Sequence, residues 1–517
     1  MNVIYICRVS DFQVRGNQID ISKKVAIDFF NVPEDIIEKG QNVGINICHS
    51  SDVRSFEIIE IQPATNLRWS TKLNTFLSKK NDELTKGCLL LFEKIGRSFC
   101  VRTIKNDDSK YEALVELFDE GEKHMLLSAS LENQFEKTGG DVSSVNSFLT
   151  AIRTKPFILL AGISGTGKSR IVRKLAQATD DIDVFENDDD RWKCPRPANF
   201  ELIQVKPNWH NSMDVVGFQS NIPESHYEFT PFVDFIVKAW CHEETPFFLC
   251  LDEMNLAPVE EYFAEFLSAI ESRSKGEDGE YETDPIIKPF DSFGSELAGK
   301  MMHHFVEMGY DIPKKVETRL REKGLTLPKN LIVMGTVNMD ETTFSFSRKV
   351  LDRAMSIEMN EVDYDGFIQG KTEYNVPKLT EQNEFFVERP ISAQEVKDGI
   401  ESQYVITFLK EVNDILEGTP FKLGYRAANE AILYVAADKV IGVDNQIAAL
   451  DEFTLMKILS RIEGDDSKLV TKDGDKLLDK LNGYLSDVFG AKESKSLTKL
   501  ANMIATLNRD HFVSFWG

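Results

Sequence analysis

The pattern of hydrophobic and polar positions changes twice along this 517-residue chain. Up to about residue 110, short apolar or alternating runs such as NVIYICRV, VGINIC and GCLLLFEKI are separated by polar turns. Alternation with a period of two is typical of strands that bury one face. We therefore predict a small β-rich, barrel-like domain over residues 1–125, followed by a polar linker over residues 126–141.

From residue 142 to 365, apolar runs alternate with helical segments. The strand-like runs are FILLAG, FELIQV, FFLCLDE and NLIVMGTVN, and the helical segments include SRIVRKLAQAT and VEEYFAEFLSAIES. This alternation predicts an α/β core with a parallel sheet covered by helices. A polar stretch over residues 272–329 is interpreted as an insertion on that core. Residues 366–517 return to a helical period, which predicts a separate helical lid domain.

Charge is distributed unevenly between these regions. The whole chain carries 60 Lys and Arg against 84 Asp and Glu, a net charge of −24, which argues against a surface that binds nucleic acid all over. Residues 1–110 nevertheless hold 16 basic and 14 acidic residues, and residues 65–110 hold ten basic and five acidic ones. The ten basic residues are Arg68, Lys72, Lys79, Lys80, Lys86, Lys94, Arg97, Arg102, Lys105 and Lys110.

Four aromatic residues, Trp69, Phe76, Phe92 and Phe99, are interleaved with these basic positions. Such a stretch can follow the phosphates of DNA. The alternative is a solvated face of a small β domain whose aromatic side chains form its core.

Cysteine content and hydropathy bear on the location of the protein. The seven cysteines are odd in number and scattered, with no C-x-x-C pair, so we expect reduced thiols. No apolar run approaches the roughly 18 residues that a membrane span needs, and no signal peptide is visible at the start. We expect a soluble, cytoplasmic protein that does not associate with membranes.

A phosphate-binding motif follows the first strand-like run of the core. The segment from Gly162 to Ser169, GISGTGKS, matches the P-loop pattern G-x-x-x-x-G-K-[ST]. An apolar strand leads into it and a helix leads out, as phosphate binding at a helix N-terminus requires. Lys168 would reach the β- and γ-phosphates and Ser169 would bind Mg²⁺. The loop positions expected to surround the phosphates are Gly162, Ser164, Gly165, Thr166 and Gly167; the alternative is an incidental glycine-rich turn.

Two adjacent carboxylates end the strand-like run FFLCLDE. Asp252 would support Mg²⁺, and Glu253 would orient or deprotonate the attacking water. An apolar run ending in Asp-Glu is common for structural reasons. Together with the upstream phosphate loop, however, the pair indicates a nucleoside triphosphate hydrolase.

Further segments resemble a known family. LDEMNLAPVEEYFAEFLSAIESR, MGTVNMD, SRKVLDRA and VKPNWHNSMDVVGF together resemble the AAA+ ATPases of the dynein-related (midasin-type) and McrB group, over about residues 142–440. The resemblance implies Asn255 after the Walker B acidic pair, Asn338 at sensor 1, Arg348 and Arg353 in the arginine-finger region facing a neighbouring subunit, and Arg426 at sensor 2 in the helical lid.

Each of these residues also has an ordinary structural interpretation. Asn338 can be a strand-end turn residue, Arg348 and Arg353 can be surface or ion-paired residues of which one or neither is a finger, and Arg426 can form a helix salt bridge. McrB proteins carry M-N-x-x-D-R after the Walker B strand, whereas this chain reads VNMDET from Val337 to Thr342. This departure leaves the choice between GTP and ATP open.

The resemblance implies a ring-forming GTPase or ATPase, expected to be hexameric. Its DNA-recognition part would be residues 1–125, because NTFLSKKNDELTKGCLLLFEKIGRSFCVRTI faintly resembles B3-like DNA-reading barrels. No nuclease pattern is visible, since Glu-x-Lys pairs are scattered and His303-His304 is more typical of a solvated helix. DNA cleavage would then belong to a separate McrC-like endonuclease, as in McrBC-type restriction and antiviral defence. The alternatives are a chaperone-like AAA+ ATPase that remodels proteins and a nucleotide-gated binding scaffold.

Overall fold

The computed structural model divides into two compact units, Met1–Gln134 and Phe135–Gly517. The structure describes residues 2–9, 20–30, 32–33, 37, 43–49, 52–60, 66–69, 86–95, 98–105, 111–115 and 124–129 of the first unit. Of the second unit it describes residues 145–182, 197–276, 279–339, 344, 346–360, 376–490 and 494–516.

The first unit is built on one eight-stranded sheet. Its strands are β1 (Asn2–Arg8), β2 (Asp20–Ser22), β3 (Val43–His49), β4 (Asp52–Glu60), β5 (Asn66–Trp69), β6 (Leu89–Ile95), β7 (Ser98–Ile104) and β8 (His124–Ala129), with short helices Lys23–Asp28 and Tyr111–Val115. The order across the sheet is β2-β5-β4-β3-β7-β6-β1-β8, and every pair except β3 with β7 is antiparallel. The described pairings include none between β2 and β8, so closure into a barrel stays a prediction.

An aromatic cluster fills the core of this unit. The rings of Tyr5 and Phe92 stack with centroids 5.5 Å apart, and Phe30 lies 4.7 Å from Phe99. All four side chains are buried together with Phe29. Two of the four aromatic residues considered for DNA contact therefore belong to the core, as the structural alternative expects, while the side chains of Trp69 and Phe76 lie outside the described residues.

The second unit contains a five-stranded parallel sheet. Its strands are β9 (Phe157–Gly162), β10 (Phe200–Gln204), β13 (Phe247–Asp252), β16 (Leu331–Asn338) and β17 (Met355–Glu358), in the order β10-β13-β16-β9-β17. The remaining strands form three two-stranded ribbons: β11 (Phe218–Ser220) with β12 (His226–Glu228), β14 (Ser274–Lys275) with β15 (Tyr281–Glu282), and β18 (Glu463–Asp465) with β19 (Phe512–Ser514). The α-helices are Asn146–Thr154, Lys168–Thr179, Met213–Val216, Pro231–Cys241, Val259–Tyr262, Ala264–Ala269, Ser295–Glu307, Lys314–Glu322, Arg348–Leu351, Asn383–Val387, Ser402–Ile415, Tyr425–Val440, Gln446–Phe453, Leu477–Phe489 and Lys495–Asp510.

Both faces of the parallel sheet are covered, which explains why its strands read as continuous apolar runs. Phe157 and Leu159 point into one hydrophobic cluster, and Ile158 and Leu160 point into the other. The fold class expected from the sequence is confirmed: an α/β P-loop core with a parallel sheet, a helical C-terminal part and a small β-rich domain before it.

The helical C-terminal part shares its core with the sheet. Phe408 and Leu450 belong to the same buried cluster as Ile158 and Leu160, and the whole of residues 135–517 forms one compact unit. A separate helical domain over residues 366–517 stays a prediction, since a helical period alone does not reveal what the apolar face of a helix packs against.

The described residues of the polar stretch 272–329, which are 272–276 and 279–329, include helices that pack on the core. Its two longer helices, Ser295–Glu307 and Lys314–Glu322, bury Phe305 and Leu320 in the cluster on one face of the sheet. Its polarity comes from the solvated faces of these helices. Among the described residues, no helix is both long and apolar enough to cross a membrane.

A buried ion cluster joins the sheet to the C-terminal helices. The Glu430 carboxylate lies between the ammonium groups of Lys155, at 2.6 Å, and Lys457, at 2.8 Å, and all three residues are at most 3% exposed. Burial alone would raise the pKa of Glu430, but the two lysines outweigh it and hold that pKa at about 2. The carboxylate is therefore charged throughout the neutral range.

We expect Glu430→Gln to lower the free energy of unfolding by about 3–5 kcal/mol at pH 7, because two buried lysines lose their carboxylate. Urea unfolding measures this difference. Since the pKa lies near 2 in the folded protein against an ordinary 4.5, the stabilisation is complete above pH 4.5 and is lost as the pH falls towards 2. Glu417→Gln, which removes an exposed partner of Lys422, is the control and should unfold like wild type; equal stability of both variants would contradict the prediction.

Candidate functional site

The carboxyl ends of three neighbouring strands form one polar edge of the parallel sheet. Gly162 ends β9, Asp252 ends β13 and Asn338 ends β16, and Asn338 is paired with Gly162 in register. A cavity of about 370 Å³ opens at this edge. It is lined by Ser164, Gly165, Gly167, Lys168, Ser169, Arg170, Asp252, Glu253, Thr336 and Asn338. Most residues that the sequence assigned to phosphate, metal and water are thus brought together here.

The phosphate loop has the backbone that its glycines permit. Gly165 and Gly167 adopt φ values of 85° and 83°, in the left-handed region that favours glycine. A Cβ atom on Gly162 would lie 2.3 Å from the carbonyl oxygen of Met359, so only glycine fits where the loop begins. The Thr166 hydroxyl donates to the Ile163 carbonyl at 3.1 Å.

The lysine of the motif lies at the start of helix Lys168–Thr179. Its ammonium group donates to the carbonyl oxygens of Gly162, at 3.0 Å, and Ile163, at 2.7 Å. The first N–H groups of a helix have no partner within the helix and favour anions. The Lys168 ammonium group and the N-terminus of the helix Lys168–Thr179 therefore face the same cavity.

The acidic pair is oriented by a threonine that sequence reasoning missed. The Thr336 hydroxyl donates to Asp252 Oδ1 at 2.8 Å and accepts the backbone N–H of Glu253 at 2.9 Å. Glu253 itself adopts a left-handed backbone, with φ of 54°, and its Oε1 lies 3.5 Å from Asn338 Nδ2. A polar residue inside the apolar run LIVMGTVN was the available signal.

A second missed residue, Asn360, supports the loop from the far side. Its Oδ1 accepts the backbone N–H of Ile163 at 3.0 Å, and its Nδ2 donates to Glu358 Oε1 at 2.6 Å. Lys499, on the helix Lys495–Asp510, donates to the same Glu358 oxygen at 2.8 Å. This chain of contacts connects the phosphate loop to the C-terminal helices. Asn360 comes two residues after strand β17 and Asn338 is the last residue of strand β16, so a polar residue at the end of an apolar run marks both.

The structure does not bring Arg353 and Arg426 to the cavity. Both contact the Glu271 carboxylate, Arg426 through Nη2 and Arg353 through Nε at 3.7 Å. Lys155, which precedes β9, lies 3.4 Å from the same carboxylate. This places the arginines near Lys155 at the amino edge of the sheet, whereas the phosphate loop follows the other end of the six-residue strand β9, which is about 20 Å long at 3.3 Å per residue. A sensor role for Arg426 towards its own subunit's nucleotide does not fit this position.

Two further residues of the family resemblance are positioned by backbone contacts. The Arg348 guanidinium donates to the Pro420 carbonyl at 3.0 Å and lies 5.0 Å from the centre of the Phe421 ring. Asn255 is buried, and its carbonyl accepts the N–H of Phe344 at 3.1 Å. Arg348 is not among the residues that line the cavity.

Several expectations fall on residues outside the described part of the chain. These are Asp340 to Thr342, where the sequence departs from McrB, and the side chains of eight of the ten basic residues between 65 and 110. Of those ten, the structure describes the side chains of Lys86, which is exposed, and Lys105, which is half-buried.

The adjacent histidines pair with carboxylates. His304 lies 2.9 Å from Asp234, and His303 lies 3.1 Å from Glu307. Within the described ranges, no group of three or more His, Cys, Asp or Glu side chains has the arrangement of a metal site.

Comparisons with known proteins find similarity to one family model and to solved structures, including the following two. A family described as a domain of unknown function (DUF8727) matches residues 380–512. The N-terminal domain of Helicobacter pylori LlaJI.R1 is similar over 25% of this chain and 99% of its own, with 15% identity and a TM-score of 0.20. A putative ATPase from Cytophaga hutchinsonii is similar over 62% of this chain and 80% of its own, with 16% identity and a TM-score of 0.33. No protein with a curated description matches.

We expect Asn360→Ala to weaken nucleotide binding about fivefold, since a hydrogen bond that holds the phosphate loop contributes about 1 kcal/mol. Titration with a fluorescent nucleotide measures the dissociation constant. Asn508→Ala changes an exposed asparagine on helix Lys495–Asp510 and serves as the control. An unchanged dissociation constant in Asn360→Ala would show that the loop keeps its shape without this contact.

Proposed function

We propose that this chain hydrolyses a nucleoside triphosphate, GTP or ATP, with Mg²⁺ as cofactor. The observation that carries the proposal is the convergence of Lys168, Ser169, Asp252 and Glu253 on one cavity at the carboxyl edge of the sheet. Ligand sites of open α/β sheets lie at this edge. The groups that would bind phosphate, bind metal and accept a proton from water lie there, whereas the arginine that phosphoryl transfer also uses does not.

The loop and helix supply the binding contacts. Backbone N–H groups from Ser164 to Ser169 would hold the phosphates, and Lys168 would turn from its carbonyl partners towards the β- and γ-phosphates. The Ser169 hydroxyl and the Asp252 carboxylate are oxygen ligands of the kind that Mg²⁺ prefers. Two protein ligands suit this ion, which takes its remaining ligands from phosphate and water and, when bound, neutralises charge on the phosphates.

The proposed catalytic groups are Glu253, from the acidic pair, and the neighbouring Asn338. Glu253 would accept a proton from the attacking water, and Asn338, beside it, would orient that water or the γ-phosphate. The Thr336 hydroxyl holds the Asp252 side chain and the Glu253 backbone. Thr336 would thereby fix the position of Asp252, the proposed metal ligand, relative to Glu253, the proposed proton acceptor.

The position of the arginines supports a ring of subunits, which we propose to be a hexamer. Neither Arg348 nor Arg353 lies at the cavity of its own subunit, yet phosphoryl transfer gains about 10³-fold or more from an arginine at the γ-phosphate. A neighbouring copy can supply that arginine. Arg426, beside Arg353, would then also face a neighbour.

We further propose that the chain is the DNA-recognition and motor subunit of an McrBC-type restriction complex that drives a separate McrC-like endonuclease. The excess of basic residues between positions 65 and 110 supports DNA contact by residues 1–125. The burial of Phe92 and Phe99 favours phosphate contacts over base stacking, and it also agrees with the alternative, a remodelling ATPase whose first domain binds a protein.

Glu253→Gln tests the hydrolytic site. We expect nucleotide binding close to wild type and a fall in turnover of at least 100-fold, because a positioned general base contributes about 10²–10⁴-fold. Phosphate release from GTP and from ATP is measured alongside binding, with Glu260→Gln, an exposed residue nearby, as control. Normal turnover by Glu253→Gln would refute the assignment.

Salt dependence tests the DNA proposal. We expect the full chain to bind duplex DNA with an affinity that falls steeply as salt rises, and Lys79→Glu with Lys80→Glu to reduce the slope by about one per lost phosphate contact. Lys314→Glu with Lys315→Glu is the matched control on the other unit. Absence of binding at low salt would favour the remodelling alternative.

A further inference from the structure

Glu271 lies just after helix Ala264–Ala269 and holds three cations at the amino edge of the sheet. Its Oε2 pairs with Arg426 Nη2, and its Oε1 lies 3.7 Å from Arg353 Nε and 3.4 Å from Lys155 Nζ. Two of the three arginines that would face a neighbouring subunit, Arg353 and Arg426, therefore have the same carboxylate partner within their own chain.

The cluster around Glu271 carries more positive than negative charge. Its members are five cations, Lys155, Arg353, Arg426, Lys457 and Arg461, and three carboxylates, Glu271, Asp352 and Glu430. The Arg353 Nε atom is buried and has no hydrogen-bond partner in the described part of the chain. An excess of cations with an unsatisfied donor is suited to receive an anion.

The backbone around Arg353 is fixed by hydrogen bonds from Lys457. Lys457 Nζ donates to the carbonyl oxygens of Leu351, Asp352 and Ala354 at 3.2, 3.1 and 2.8 Å. These contacts fix the turn between helix Arg348–Leu351 and strand β17. The Arg353 side chain can change partner without a change in the backbone.

The part of the cluster formed by Glu271, Arg353 and Arg426 is accessible to solvent. The side chain of Arg426 is 44% exposed, that of Arg353 25% and that of Glu271 19%, whereas Glu430 is 4% exposed. An ion pair in contact with solvent is weak and readily exchanged, while a buried pair is costly to break. Of the two carboxylates in this cluster that solvent reaches, Asp352 pairs with Arg461 and Glu271 pairs with Arg353 and Arg426. Displacement of Glu271 by an incoming anion would therefore free these two arginines.

We propose that Glu271 holds Arg353 and Arg426 within the free subunit, and that the terminal phosphates of a nucleotide bound by a second copy of this chain displace it. This inference rests on the proposed function. A triphosphate carries more charge than one carboxylate and accepts paired hydrogen bonds from arginine. Release of the arginines is then coupled to assembly, and Glu271 restrains turnover by subunits that are not assembled.

Removal of the negative charge of Glu271 should favour assembly of the subunits. In Glu271→Gln the arginines no longer leave an ion pair, so the protein concentration at half-maximal turnover should fall about three- to tenfold, the equivalent of one partly exposed pair. The dissociation constant of each subunit for nucleotide should stay unchanged, because Glu271 lies at the opposite edge from the cavity. Lys155 retains Glu430 in this variant, so the buried pair remains intact.

The experiment measures turnover per subunit of the full chain over a range of protein concentrations, with the triphosphate that wild type hydrolyses faster. Glu282→Gln, which breaks a comparable surface pair with Lys323, is the matched control and should behave as wild type. Glu271→Asp keeps the charge but is shorter, so it should shift the curve in the same direction by a smaller factor, and it decides the question if Glu271→Gln does not fold.

A concentration at half-maximal turnover that is unchanged or higher in folded Glu271 variants would overturn the proposal. A role in stability alone would lower the melting temperature without moving that concentration downwards. If wild type shows no turnover, or turnover that does not depend on protein concentration, the proposed function fails. Concentration-dependent turnover in wild type with identical curves for the variants refutes only the role of Glu271.

Discussion

Parallel pairing of the five central strands is the constraint on which the candidate site depends. It brings all carboxyl ends to one edge and all amino ends to the other. Lys168, Asp252 and Glu253 lie at the first edge, and Arg353 and Arg426 lie at the second. Because these edges are separated by the length of a strand, the cavity and these two arginines do not meet within one chain, and in the proposed function they complete each other between two copies.

Burial of both sheet faces restricts polar chemistry to these edges. Side chains that alternate along β9 enter two separate hydrophobic clusters, so a charged group can reach solvent only where a strand ends. The buried pairs of Glu430 at the amino edge and the contacts of Asn360 at the carboxyl edge both involve the C-terminal helices. These helices therefore contact residues at both edges of the sheet.

Local patterns predicted the phosphate loop and the acidic pair, because a strand, a glycine-rich turn and a helix follow one another directly in the chain. Thr336, Asn360 and Glu271 were missed because their partners are distant in sequence. The family resemblance likewise placed Arg426 in the helical lid without revealing which edge of the sheet its helix approaches. The polarity of residues 272–329 concealed two helices, since only a minority of their side chains are buried.

The central claim is that the site is completed by a second copy of the chain, and a mixing measurement tests it most directly. Glu253→Gln subunits and subunits carrying both Arg348→Ala and Arg353→Ala are each expected to hydrolyse nucleotide poorly. In a mixed assembly, the intact cavity of an arginine-variant subunit can lie next to the intact arginines of a Glu253→Gln subunit. Phosphate release by the mixture should therefore exceed that of either variant alone. Release by the mixture no greater than the average of the separate variants, with wild type active under the same conditions, would contradict the claim.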